Sequence, residues 1–237
     1  MKQLILLIAT TSFLAATALA QAPFNLHDNT GAGNCLEFDG NDHVSIPNDP
    51  ILNFGTTDFS FELWMKIDPN ATFSTTYQLL CKKTNGVELY EVQVDIFRNI
   101  ICHFGFSPTS ILSTTLVEKD VWYHLAIVRE SGIGKLYVNG VQEGSVASTQ
   151  NITGASNVFL GMDATGVEFL HGIIDEVRIW NIARTQTQIR DNMCRQLTGT
   201  ETGLVGYWPM NEGADNTCAG GEDVCDQSGN NNHGTKF

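Results

Sequence analysis

Short runs in which apolar side chains fall on every second residue recur from Leu36 to Met210, with Gly, Asn, Asp or Ser between them. A period of two is the signature of extended strands with one buried face, and a helix cannot use it. "FSFELWMKI", residues 59–67, is the cleanest case. Phe59, Phe61, Leu63, Met65 and Ile67 point one way, and Ser60, Glu62, Trp64 and Lys66 the other. Residues 90–97, 99–106, 157–162, 169–180 and 203–210 carry similar patterns. "VWYHLAIVRE", 121–130, is apolar on both faces, which predicts a central strand. In 134–146, Asn139-Gly140 separates two such runs and predicts a hairpin with a type I′ turn.

One segment breaks the period. Ile189, Met193 and Leu197 are spaced by four within 183–197, which predicts a short surface helix with Thr185 as its N-cap. Many short strands, frequent turns and one helix indicate an all-β fold, a two-sheet antiparallel sandwich or jelly roll.

The first twenty residues read as an export signal. Lys2 begins them, Leu4–Ala16 is apolar, and Ala18-Leu19-Ala20 is a small-x-small cleavage site. The apolar run is short for a membrane span, and no other segment is long and apolar enough for one. The expected product is secreted and extracellular, and keeps residues 21–237. The expected organisation is a signal peptide at 1–20, a jelly-roll domain at 21–210 and a loop-rich tail at 211–237. The chain has a formal net charge of −13. Lys2 is the only charged residue in the signal, so the mature charge is −13 − 1 = −14. That surface repels phosphates and argues against nucleic acid as a partner.

Six cysteines in an exported chain suggest disulfides. Cys218 and Cys225 lie seven apart in a Gly-rich stretch and are expected to pair. Cys35 and Cys194 would join the first strand to the helix end. Cys81 and Cys102 are harder to place. If 77–83, 88–97 and 99–106 form a meander, these two lie two strands apart, about 9.6 Å. That exceeds the roughly 6.8 Å a disulfide tolerates, so either the meander is broken or both thiols are free.

Catalytic motifs are missing. There is no Glu-x-Asp-x-x-Glu strand to set an acid and a nucleophile on one face, and no Gly-x-Ser-x-Gly elbow. Glu88, Glu91 and Asp95 read as solvated strand polars. His124 reads as a hydrogen-bonded structural residue. No catalytic residue is assigned. Trp64 faces away from the Phe59–Ile67 row. It is the candidate ligand-binding aromatic, either an exposed sugar platform or packed beneath a loop or the helix.

The ordered strings "LEFDGNDHVSIP", "FSFELWMKI", "WYHLAIVRESGIGKLYVNGVQEG", "NVFLGMDA" and "FLHGIIDEVRIWNIARTQTQIRDNM" resemble the laminin-G-like, concanavalin A-like jelly-roll domains of secreted proteins, from about Cys35 to Met193. Pentraxins share that fold more distantly. The resemblance implies a twisted sandwich with a concave face, and often a calcium ion beside the first-strand loop. Its members bind glycans or proteins, serve as spacers in adhesins, or flank catalytic domains. Asp39-Gly40-Asn41-Asp42 interrupts the first strand pattern with hard-cation oxygens, although it is also good turn chemistry. Asp175 shares a predicted apolar face with Ile173, Val177 and Ile179 and needs a partner there. A cation such as Arg129 would serve; alternatively Asp175 lies near the Asp39–Asp42 loop. The expectation is a structural calcium ion held by Asp39, Asn41, Asp42 and Asp175.

"GLVGYWPMNEG" and "DQSGNNNHGT" leave two readings of the tail. It closes the domain by pairing with its first strand, or it opens a second module of a longer protein. The expected function is a secreted, non-catalytic recognition or adhesion module, stabilised by calcium and binding a glycan or an extracellular protein. The alternatives are a spacer without a ligand of its own and, third, a glycoside hydrolase.

Overall fold

The computed structural model describes residues 34–84, 87–105, 110–211, 218 and 223–237. The expected export signal, residues 1–20, lies outside them. The elements are β1 (Leu36–Asp39), β2 (Val44–Ile46), a 3-10 turn (Pro50–Leu52), β3 (Phe59–Ile67), β4 (Tyr77–Thr84), β5 (Val87–Val94), β6 (Asn99–His103), β7 (Ser110–Leu116), β8 (Trp122–Glu130), β9 (Ile133–Val138), β10 (Val141–Ala147), β11 (Val158–Leu160), β12 (His171–Trp180), α1 (Gln186–Asn192), β13 (Leu204–Trp208) and β14 (Thr235–Lys236). They form two antiparallel sheets. One runs β1-β12-β3-β8-β9-β10, with β13 beside β1 on the same edge of β12. The other runs β14-β2-β11-β4-β5-β6-β7.

The period-two rows meet between the sheets. Phe59, Phe61, Leu63, Met65 and Ile67 pack there against Val44, Ile46, Tyr90, Val92, Val94, Ile100 and Phe104. β8 is central, between β3 and β9, as its two-sided apolarity requires. Asn139 and Gly140 turn the β9–β10 hairpin, both with positive φ (49° and 72°). Thr185 caps α1 with a reciprocal capping box to Gln188. The helix covers the outer face of the first sheet, where Ile189 packs on Ala126, Val128 and Tyr137.

The predicted apolar face of β12 is corrected by a bulge. Glu176 has a positive φ (51°), and the register against β3 shifts between Asp175 and Arg178. The alternation therefore changes phase. Ile174, Val177 and Ile179 are in the core, while Ile173 packs with Trp64, Trp122 and Met193 outside it. Asp175 is thus on the outer face rather than in the core. Arg129 does not pair with it. Its guanidinium donates to the carbonyls of Gly55 (2.8 Å), Thr57 (2.5 and 2.8 Å) and Gln150 (3.0 Å), clamping two loops at the far end of β8.

Of the two readings of the tail, residues 235–236 follow the closing one, pairing with β2, the second half of the interrupted first-strand run. Thr235 lies opposite Ser45 and Lys236 opposite Val44. Cys218 and Cys225 form a disulfide. Cys35 and Cys194 are free thiols, so the expected bridge between them does not form. Cys81 and Cys102 are also free, because β4, β5 and β6 make the unbroken meander that separates them.

Candidate functional site

Three connections converge at one rim of the sandwich: the β1–β2 turn, the β3–β4 loop and the β11–β12 loop. Between them is a cleft of about 400 Å³ lined by Gly40, Thr72, Ser74, Thr75, Tyr77 and residues 166–169 with His171. That volume is in the range of small-ligand sites.

Each wall has a local cause. Tyr77 is anchored in the core, and its hydroxyl accepts the backbone N–H groups of Thr72 (3.0 Å) and Phe73 (3.2 Å). This folds residues 72–77 back over the rim and presents the Thr72 and Ser74 hydroxyls side by side, 2.7 Å apart. The β11–β12 loop is built on Asp163. One of its carboxylate oxygens accepts from the N–H groups of Thr165 and Val167, both at 3.0 Å, and from the Thr165 hydroxyl at 2.9 Å. The other accepts from Lys83 at 3.4 Å. Leu170 N–H closes the loop on the Gly161 carbonyl at 2.8 Å. The result projects Val167 into solvent, 52% exposed, and turns Glu168 through a positive φ of 56°.

Below this loop lies an ion cluster. Lys83 contacts Glu91 (3.2 Å) as well as Asp163, and His103 approaches Glu91 at 3.5 Å. Glu91 is only 5% exposed, so it is not a solvated strand polar as its spacing suggested. The loop above it excludes water. Burial raises its pKa, and Lys83 offsets part of that. Burial alone would raise Asp163 too, but the N–H and hydroxyl donors of Val167 and Thr165 and the Lys83 charge outweigh it and hold the carboxylate ionised. Burial raises Glu168, with Lys83 opposing and Asp163 and Glu91 reinforcing. The two carboxylates sharing Lys83 are locked in structure, whereas Glu168 lines open space.

The expected calcium ligands do not converge. Leu36 lies opposite Ile174 and Asp39 opposite His171, so Asp175 sits beside Cys35, four residues along the strand from Asp39. At the rise of an extended strand that is about 13 Å. Asp175 accepts from Glu176 N–H at 2.8 Å. In the turn, Asp42 accepts from Asp39 N–H (3.1 Å) and Asp39 from Asn41 N–H (3.2 Å). Calcium needs six to eight oxygens, and the Asp39 and Asp42 carboxylates, already bracing their own turn and remote from Asp175, do not fit that demand. Among the described residues no group of three or more His, Cys, Asp or Glu is placed to hold a metal. The loop does reach the cleft, through Gly40.

Of the two readings of Trp64, the structure shows the packed one, against the helix end. It is 5% exposed, its indole N–H donates to the Met193 carbonyl at 2.7 Å, and Trp122 and Met193 pack on it. The helix end takes the surface a sugar would need. His124 is buried with Nε2 at 3.5 Å from Glu62, a structural position. The reading of the sequence missed Thr72, Ser74, Glu168 and His171. A signal was available in "DATG", 163–166, whose Asp, Thr and Gly are turn residues framing a loop.

The model of the concanavalin A-like lectin/glucanases superfamily matches residues 38–190. The chain belongs to this family. No curated protein matches it. Among solved structures, a Bacteroides ovatus protein described as a candidate carbohydrate-binding protein is similar at 21% identity and a TM-score of 0.65, over 85% of this chain and 58% of that one. Domain 4 of AbnA, an extracellular arabinanase of Geobacillus stearothermophilus solved with arabinotriose, is 24% identical at a TM-score of 0.51, over 66% and 75%. The binding domain of botulinum neurotoxin serotype D is 16% identical at a TM-score of 0.53, over 66% and 40%. This family member therefore spans little more than half of the B. ovatus protein, and these likenesses concern the fold.

Proposed function

We propose that this chain is a non-catalytic glycan-binding module of an exported protein, and that the rim cleft is its binding site. The observation that carries the proposal is the composition of that cleft. The hydroxyls of Thr72 and Ser74, the Glu168 carboxylate and the His171 imidazole converge on it, beside the apolar sides of Val167, Phe169 and Tyr77. Sugars present the same pairing: hydroxyls that donate and accept, and C–H faces that pack on apolar and aromatic surface. A carboxylate acceptor makes the stronger, charge-assisted hydrogen bonds to hydroxyls. The description of the B. ovatus protein and the arabinotriose bound to the AbnA domain support the reading. So does the burial of Glu91 and Asp163, which places those two carboxylates out of reach of a substrate.

A glycan array probed with residues 21–237 tests this, followed by calorimetry on the strongest hit. Glu168→Gln and Thr72→Ala should each weaken binding about tenfold, the loss of roughly one good hydrogen bond. Absence of binding across the array favours a spacer without its own ligand, and binding indifferent to both substitutions removes the site from this cleft.

A further inference from the structure

Beside the cleft an aromatic row leads away over the outer face of the second sheet. His43 and Phe237 face each other across the β2 and β14 ends, exchanging backbone hydrogen bonds of 3.2 and 2.9 Å. Their rings stack, with centroids 4.9 Å apart and planes within 10°. The His43 ring also lies 6.5 Å from the Phe169 ring and 6.0 Å from Phe159, both tilted to it. Phe169 lines the cleft. Cleft, Phe169, His43 and Phe237 thus form one path from the rim to the sheet edge.

Strand alternation explains why the path is on the surface. Val44 and Ile46 point into the core, so His43 and Ser45 point out, and Phe237 follows His43 as its cross-strand partner. Phe237 is 65% exposed.

We infer that this row is a second subsite, and that the module binds an oligosaccharide chain, its end or one unit held in the cleft and further units stacked over Phe169, His43 and Phe237. The inference rests on the glycan reading of the cleft and extends it from a monosaccharide-sized site to a chain. Continuity with the cleft is the argument for the occupant. A chain leaving a hydroxyl-binding pocket meets aromatic faces next, and sugar rings offer C–H faces to stack there.

The test compares short and long members of one series on the intact chain. Cellobiose with cellohexaose, laminaribiose with laminarihexaose and arabinobiose with arabinohexaose cover three linkages. For the series that binds, the hexamer should bind at least tenfold more tightly than the dimer. Phe237→Ala should weaken the hexamer about three- to tenfold, the worth of one aromatic stack, and leave the dimer unchanged. Phe237→Tyr should restore it. Glu168→Gln, by contrast, should weaken both. Equal affinity of dimer and hexamer, or a hexamer indifferent to both Phe237→Ala and His43→Ala, overturns the second subsite while leaving the cleft reading intact. Failure of every dimer and hexamer to bind overturns the cleft reading and this extension together. Loss of a concentration-dependent dimer in Phe237→Ala would assign the row to self-association and overturn it too.

Discussion

Asp175 shows how one residue's surroundings set its chemistry. Burial, and then the neighbouring Glu176 charge, raise its pKa from 3.8 to about 7. The folded chain therefore holds this proton more tightly than the unfolded chain does. Its contribution to stability is fully present below about pH 3.8 and is lost as pH rises towards 7. Asn removes the charge and keeps an oxygen for the Glu176 N–H. Asp175→Asn should thus stabilise the chain at pH 8 by on the order of 2 kcal/mol, after discounting for partial solvent access, or about 4–8 °C in Tm. The gain should vanish near pH 4. Because Asp175 lies far from the Asp39–Asp42 turn, the effect should be the same in calcium and in excess chelator. Thermal melts at both pH values, each with and without calcium, check it; a calcium-dependent difference would return Asp175 to a metal site. The sequence made this residue conspicuous, but its face depended on a bulge at Glu176. No pattern of apolar residues announces a positive φ at a glutamate.

At the scale of elements, contacts between hairpin and helix decide what the period alone could not. The Gly140 carbonyl accepts from Gln186 Nε2 and from Arg190 Nε, both at 2.8 Å, so the β9–β10 turn is the floor on which α1 docks. A Cβ at Gly140 would come within 2.7 Å of Arg190 Cγ and would sit at a φ of +72°. Gly140→Ala should cost about 2 kcal/mol, from left-handed backbone strain and the displaced arginine. Denaturation should show a Tm lower by about 4–8 °C; an unchanged Tm would mean that the turn and helix are not coupled. Most elements were legible. Alternation marked β3, β8 and the hairpin, and the Thr185 cap marked the helix, because these signals are local. The cleft was not, because Thr72, Glu168 and His171 come together through loops whose shape depends on Asp163 and Tyr77, and such closure leaves no period in the chain. Trp64 stayed open between two readings for a related reason. Facing away from the core row means exposure only if nothing covers the outer face, and the helix does.

For the whole molecule, the decisive structure is the closing of two sheets by the tail. The tail spans both. Tyr207 of β13 donates its N–H to Asp226 (2.9 Å), and the Trp208 indole donates to the Asn232 carbonyl (2.9 Å), which ties residues 223–237 to the first sheet. Thr235 and Lys236 pair with β2 in the second. Asp226 is itself buried, and one of its oxygens takes the Asn232 N–H at 2.9 Å, so this arrangement satisfies the buried carboxylate. Deleting 223–237 would strand the buried Trp208 N–H, open the edge of β2 and remove the aromatic partner of His43. Each buried unpaired donor costs about 1–3 kcal/mol, and the exposed β2 edge invites association. Such a chain should lose its cooperative melting transition. The deletion also frees Cys218, so a control must separate the disulfide from the strand. Cys218 and Cys225 close a short loop, whose entropy is worth about 2.5 kcal/mol. The double variant Cys218→Ser/Cys225→Ser, with the tail kept, should therefore still melt cooperatively, at a lower temperature. If the double variant is as disordered as the deletion, the disulfide and not β14 holds the tail. If the deletion melts as the intact chain does, the tail is an appendage and the two sheets close without it.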